Sequence, residues 1–142
     1  MNSGARPSVL SGVLLVDKPA GISSAEVTNR LKRKFKFDRI GHGGTLDPFA
    51  TGLLVVLIGE ATKIARFLLE GEKEYEATAA LGSETDTGDH TGEVVNRCEV
   101  PILSREEWQS FAKGWTGLIR QTPPAYSAIK IKGRPLYDYA RK

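Results

Sequence analysis

The sequence predicts a mixed α/β (α+β) domain built as a largely antiparallel sheet with flanking helices. Three observations predict it. Short apolar runs of strand length, 13–16 and 53–58, end in Gly or Pro turn residues. Two serine-headed segments, starting at Ser23 and Ser104, carry apolar residues at helical spacing. Alternating and polar stretches after Glu72 read as hairpin strands and their tip.

The first strand is Val13-Leu14-Leu15-Val16, closed by Asp17-Lys18-Pro19-Ala20-Gly21. Ser23 followed by Glu26 is a capping-box pattern, and Val27, Leu31 and Phe35 share one face, so a helix over about 24–35 is expected. Its end carries Arg30, Lys32, Arg33, Lys34 and Lys36 interleaved with Phe35 and Phe37. That pattern suits either an RNA-facing surface or a solvated helix end whose cations complement the dipole. Residues 41–52 read as a glycine-rich loop feeding a buried strand over 53–58, and 61–69 as a short helix stopped by Gly71.

Tyr75, Ala77, Ala79 and Leu81 alternate with Glu74, Glu76, Thr78 and Ala80, which predicts a half-buried strand. Residues 82–92 then form a polar tip, with 93–100 as the return strand. Asp86, Asp89 and Glu93 invite comparison with a calcium loop, but Gly88 stands where the second ligand belongs. Ser104 and Glu107 begin the clearest helix, with Trp108, Phe111, Ala112 and Trp115 on one face, expected to be core. Strands are expected over 118–121 and 126–132, a turn at Lys132-Gly133-Arg134-Pro135, and the start of a helix over 136–142.

Composition narrows the function. The chain has 142 residues, 40% hydrophobic and 26% charged, which fits one globular unit and argues against disorder or a fibre. Its longest aliphatic run, 53–58, is far short of the ~20 residues of a membrane span, and the polar start has no apolar signal core. A cytoplasmic protein with no membrane partner is expected. Cys98 has no cysteine to pair with, and with only His42 and His90 beside it there is no clustered structural-metal set. Twenty Lys plus Arg against seventeen Asp plus Glu leave a net charge of +3, so any nucleic-acid affinity depends on where the cations sit.

Chemistry concentrates in the glycine loop. Leu46 stands where a dinucleotide fingerprint needs its third glycine, and no Gly-Lys-Ser/Thr follows as in a P-loop, so nucleotide cofactors are not expected. Asp47 lies between the flexible Gly43-Gly44 pair and Pro48, which keeps its predecessor extended. Two readings stay open: an N-cap with Pro48 at the first helical position, or a carboxylate held for catalysis. A free aspartate, with a pKa of about 3.9, serves as nucleophile or base at neutral pH without an activating partner. No second carboxylate is identifiable as its acid partner, unlike an ordinary glycosidase.

The runs Leu15-Val16-Asp17-Lys18-Pro19-Ala20-Gly21, Gly41-His42-Gly43-Gly44-Thr45-Leu46-Asp47-Pro48-Phe49-Ala50-Thr51-Gly52, Gly59-Glu60-Ala61-Thr62-Lys63 and Pro123-Pro124-Ala125-Tyr126-Ser127-Ala128-Ile129-Lys130 resemble the TruB family of tRNA pseudouridine synthases, in order and spacing. The resemblance extends from about Gly12 to the last residue. It implies the pseudouridine synthase fold and isomerisation of the T-loop uridine at tRNA position 55, with the tRNA T-arm as partner and no cofactor or metal. Asp47 matches the family's catalytic aspartate, for which addition to uracil C6, attack on ribose C1′ and removal of a C2′ proton all stay open.

By the same resemblance His42 matches a histidine that fills the place of the extruded base, and Tyr75 matches a tyrosine that stacks on uracil, with acceptance or relay of the C5 proton open to it as well. Lys18, Lys63 and Lys130 fall in matching blocks, as phosphate contacts or as structural hydrogen-bond donors. Each also has a plain reading, His42 as a hydrogen-bonding loop residue and Tyr75 as a half-buried strand aromatic. Family members run to about twice this length. Residues 1–10 are therefore expected to be a flexible tail and 11–142 the N-terminal portion of the catalytic domain, weak or inactive alone. Competing readings are an RNA-guided archaeal or eukaryotic relative, an RNA-binding module without turnover, and a Ca²⁺ loop at 86–93.

Overall fold

The computed structural model describes residues 10–122, 130, 131 and 133–135. Two compact units divide the chain, Met1–Tyr75 and Glu76–Lys142. The physical reason lies in burial. Every buried apolar residue among those described, Val27, Leu54, Val56, Leu57 and Ile58, belongs to the first unit.

The first unit is a three-stranded antiparallel sheet with helices. Strand β1 (Gly12–Lys18) leads into helix α1 (Ser24–Phe35), β2 (Ile40–His42), β3 (Gly52–Ile58), a 3-10 helix (Gly59–Ile64) and α2 (Ala65–Glu70). The order is β1-β3-β2, with β3 central. Gly12 lies opposite Ile58 and Lys18 opposite Gly52, while Ile40 pairs with Ile58 and His42 with Val56. Because side chains alternate along a strand, Leu54, Val56 and Ile58 share one face of β3 and form a core with Val27 of α1. Burying a side chain such as Leu54 or Val56 fully contributes roughly 1.5–3 kcal/mol.

Helix α1 forms as its sequence predicts. Ser23 is the N-cap, its side chain accepting from the Glu26 N–H at 3.1 Å. Glu26 does not complete the box; its carboxylate turns instead to Arg30 at 2.8 Å and Arg33 at 3.5 Å. The buried face is Ser24, Val27 and Thr28, at helical spacing, and the helix ends where Lys36 adopts the left-handed conformation, φ 56°.

Two expectations change in this unit. Residues 41–52 are not loop throughout, since Gly41 and His42 continue β2 and pair with β3, satisfying a strand edge that loop residues would leave open. The helix expected over 61–69 is two elements, a 3-10 turn and then α2. Gly59 explains the tight start: at φ +59° it redirects the chain, and a Cβ there would sit 2.6 Å from the Leu10 carbonyl oxygen.

The second unit holds a hairpin of β4 (Ser83–Thr85) and β5 (Val94–Arg97), helix α3 (Arg105–Lys113), and a short pair β6 (Lys130–Ile131) and β7 (Arg134–Pro135). The capping box of α3 is complete: Ser104 Oγ accepts from the Glu107 N–H at 3.2 Å, and Glu107 accepts from the Ser104 N–H at 2.7 Å. The strand expected over 75–81 is absent. Residues 72–80 form no ladder, and the return strand pairs with Ser83–Thr85 at the start of the polar segment. Alternation gives a strand its faces, but only a hydrogen-bonded neighbour makes it one.

No strand forms over 118–121 either. The α3 aromatics also depart from expectation. Phe111 and Trp115 are exposed, and the three rings pack on one another, with centroids 6.0 Å apart for Trp108 and Phe111 and 6.1 Å for Phe111 and Trp115. With no buried apolar residue described in this unit, the helix's own neighbours are the surface they find. Of the turn expected at 132–135, Gly133 is a turn residue at φ +81° between the paired strands, Arg134 and Pro135 are strand β7, and Lys132 lies outside the described residues. Residues 1–9 of the tail expected over 1–10, residues 126–129 and 132 of the strand expected over 126–132, and the helix over 136–142 lie outside the described residues.

Candidate active site

Residues 43–51 connect β2 to β3 and carry Asp47. The Ala50 N–H donates to the Asp47 carbonyl at 3.1 Å, closing a β-turn with Pro48 at its second position. Asp47 therefore starts a turn and caps no helix, which removes the plain reading of this residue. Its side chain is exposed, and no hydrogen bond or ion pair engages the carboxylate among the described residues.

Although the carboxylate is free, the backbone on both sides of it is held. Ser24, 1% exposed at the start of α1, places its Oγ between the two polar groups of Leu46, accepting from the N–H at 2.9 Å and donating to the carbonyl at 3.1 Å. On the other side, the Pro48 carbonyl accepts from the Gly21 N–H at 2.7 Å and from Lys18 Nζ at 3.3 Å. One loop and one helix start thus fix the residues before and after Asp47. The result is a carboxylate pointing outward from a fixed backbone, the arrangement a nucleophile or base needs.

Lys18 is fully buried. Its ammonium donates to the carbonyls of Pro19 at 3.0 Å, Ile22 at 2.7 Å and Pro48 at 3.3 Å. An ammonium has three N–H donors, and all three have carbonyl acceptors here. Of the two roles open to Lys18, this geometry is that of a structural donor.

His42 ends β2 on the core-facing side, opposite Val56, and its Nδ1 is buried with no hydrogen-bond partner among the described residues. Packing rather than hydrogen bonding therefore orients that nitrogen. The chain after it turns at Gly43, which is buried and bonded to the Val55 carbonyl at 2.8 Å. A Cβ on Gly43 would lie 2.7 Å from Leu68 Cδ1 and 2.9 Å from Leu68 Cβ, so only glycine lets α2 approach the loop this closely.

Tyr75 is 68% exposed, and no ring contact or hydrogen bond joins it to His42 or Asp47 among the described residues. Lys63, on the 3-10 helix, is engaged by Glu60, whose carboxyl is held below its usual range chiefly by that hydrogen bond and by the lysine's charge. Lys130 belongs to β6 in the second unit, and its side chain lies outside the described residues. The structure thus brings Lys18 to the Asp47 loop directly, keeps His42 on the strand that leads into it, and joins neither Tyr75 nor Lys63 to that loop among the described residues. A surface hollow lined by Gly114, Trp115, Ile119, Arg120 and Gln121 belongs to the second unit and contains no carboxylate.

Sequence reasoning missed Ser24 and Gly21. A signal existed for Ser24, which stands at i relative to Val27 and Thr28 at i+3 and i+4, a hydroxyl on the inward stripe of an amphipathic helix.

An antiparallel sheet with helices and a carboxylate on a glycine loop define a class that comparison makes specific. A chain of the archaeal box H/ACA sRNP Nop10-Cbf5 complex superposes with a TM-score of 0.53 and 26% identity, over 89% of this chain and 35% of that one. Residues 32–142 match the model of the TruB family pseudouridylate synthase N-terminal domain, and the chain belongs to that family. It is 52% identical over 133 residues to tRNA pseudouridine synthase B of Opitutus terrae, covering 94% of this chain and 55% of that protein. Against tRNA pseudouridine synthase B of Neisseria meningitidis serogroup B it is 48% identical over 143 residues, covering 100% and 46%. The chain spans about half the length of these relatives.

Proposed function

We propose that this protein is a tRNA pseudouridine synthase that isomerises the T-loop uridine at position 55, acting in the cytoplasm without cofactor or metal, with Asp47 as its catalytic carboxylate. The observation that carries the reading is Asp47 itself, exposed and without a partner among the described residues, on a backbone held at Leu46 and Pro48. Identity near one half to bacterial tRNA pseudouridine synthase B, against 26% to the archaeal sRNP chain, favours a stand-alone tRNA enzyme over an RNA-guided one.

In this reaction the N1–C1′ bond breaks, the uracil turns, and a C5–C1′ bond forms. C5 loses its proton to solvent and N1 gains one, so substrate and product are isomers. Asp47 adds to C6, attacks C1′ or takes a C2′ proton, and each route uses the same carboxylate. A uridine in a loop costs less to extrude than a paired one, by a few kcal/mol. His42 fills the vacated place and Tyr75 stacks on the base in this reading.

The test is tritium release from tRNA labelled at C5 of uridine. Release that Asp47→Ala abolishes, with tRNA binding unchanged, supports the reading. Equal release by the wild type and Asp47→Ala removes Asp47 from the chemistry.

A further inference from the structure

We propose that the C-terminal end of α1 is a docking surface for RNA backbone, formed by Lys32, Lys34 and Lys36 around the exposed ring of Phe35. This rests on the RNA reading above and extends it from the reacting nucleotide to the flanking strand.

Charge distribution is the first argument. Residues 24–38 hold five cations, Arg30, Lys32, Arg33, Lys34 and Lys36, and two carboxylates, Glu26 and Asp38. That surplus equals the net +3 of the entire chain, so the rest is balanced. Glu26 takes both Arg30 and Arg33. Lys32, Lys34 and Lys36 are exposed and have no carboxylate partner among the described residues. Three unpaired ammonium groups around one helix end form an electrostatic footprint for phosphates.

The helix dipole alone accounts for cations at this end, but it does not account for the ring between them. Phe35 is 54% exposed and stacks on Phe37, with centroids 5.6 Å apart and planes at 30°. Phe37 in turn packs against the core of the first unit, so the outer ring rests on a fixed support. Lys36 lies between them in the left-handed conformation, φ 56°, which folds the chain back and lets rings two residues apart meet. Lys34 Nζ stands 5.5 Å from the Phe35 centroid. An outward aromatic on a rigid support, flanked by ammonium groups, is what unpaired bases stack on.

Position is the second argument. The other end of α1 is the end whose Ser24 holds Leu46 beside Asp47. Twelve residues rising 1.5 Å each set the two ends about 18 Å apart, a span of several nucleotides. One helix thus connects the reacting loop to a backbone contact.

The test measures binding of the full 142-residue chain to a fluorescent uridine-loop RNA hairpin across a salt series, with circular dichroism to verify folding. Neutralising the three lysines (Lys32→Ala, Lys34→Ala and Lys36→Ala together) is expected to weaken binding and lower the slope of log K against log salt by about 2. Phe35→Ala alone is expected to weaken binding about tenfold with that slope unchanged. Removing Arg97, Arg105 and Lys113 instead controls for bulk charge. Equal losses in both triple variants, an unchanged slope in the lysine variant, or competition by polyglutamate as strong as by RNA each overturn the proposal. Asp47→Ala measured alongside separates the two readings: it tests turnover and is expected to leave this binding intact.

Discussion

Ser24 Oγ holds both polar groups of the Leu46 backbone, accepting its N–H at 2.9 Å and donating to its carbonyl at 3.1 Å. A single buried hydroxyl thereby substitutes for a strand partner at the residue before Asp47. Ser24→Ala leaves both groups without their partner, at a cost of about 1–3 kcal/mol. In amide hydrogen exchange, Leu46 is expected to lose protection while Leu57, in the centre of the sheet, keeps it relative to global unfolding. Equal loss at both positions means that the serine supports the whole unit rather than the loop.

Lys18 is the second support of the same loop. Replacing it with methionine keeps the length and apolar stem but removes the donor from three carbonyls, Pro19, Ile22 and Pro48. The Pro48 carbonyl keeps the Gly21 N–H, while losing the donor to Pro19 and Ile22 in a buried site is expected to cost roughly 2–4 kcal/mol, seen as a lower urea midpoint at unchanged slope. Lys18→Arg does not rescue it, because a planar fork cannot aim at three carbonyls around one point. A midpoint for Lys18→Met within error of the wild type would show these bonds to be dispensable.

What the sequence revealed and concealed follows from the range of the interactions. Helix α1 and the box at Ser104–Glu107 are set by residues three and four apart, and both form where local spacing places them. Gly41 and His42 read as loop because, with Ile40, they become a strand only through β3, more than ten residues on. The stretch 75–81 fails in the opposite sense, with correct alternation and no ladder among the described residues. At the site, Asp47 was visible from its Gly and Pro setting. Its supports were not, because Ser24 and Leu46 lie 22 residues apart and Lys18 and Pro48 lie 30 apart.

Gly43 records how closely α2 approaches the loop. Gly43→Ala puts a methyl 2.9 Å from Leu68 Cβ, an atom fixed to the helix backbone, so α2 or the loop must shift. The expected destabilisation is about 1–3 kcal/mol, read as a lower Tm. Shortening Leu68 in the Gly43→Ala, Leu68→Ala double variant removes the Cδ1 clash and is expected to recover part of the loss. A double variant whose Tm falls by the sum of the two single losses would mean that the two side chains do not meet.

The tip of the β4–β5 hairpin carries a titrating carboxylate whose effect has a definite sign. Asp89 Oδ1 accepts from the Thr91 hydroxyl at 2.5 Å, the Thr91 N–H at 2.8 Å and the Thr87 hydroxyl at 2.9 Å. The Thr91 bonds lead in holding its carboxyl below the usual 3.8, partial burial opposes them, and the Thr87 hydroxyl and the His90 charge assist. A folded-state value below the unfolded one means stability that is present above the unfolded pKa and fades as pH falls through the folded one. The tip is therefore expected to stay ordered at pH 5 and to loosen only below about 3.8. The Thr91 amide shift, followed by NMR from pH 6 to pH 2, reports this carboxylate directly. Its midpoint is expected below 3.8, and Asp89→Asn is expected to abolish the titration while keeping one acceptor oxygen. A midpoint at or above 3.8 would mean that the three donors do not favour the charged form, and that the order of this loop comes from the Asp86 bond to the Glu93 N–H at 2.9 Å instead.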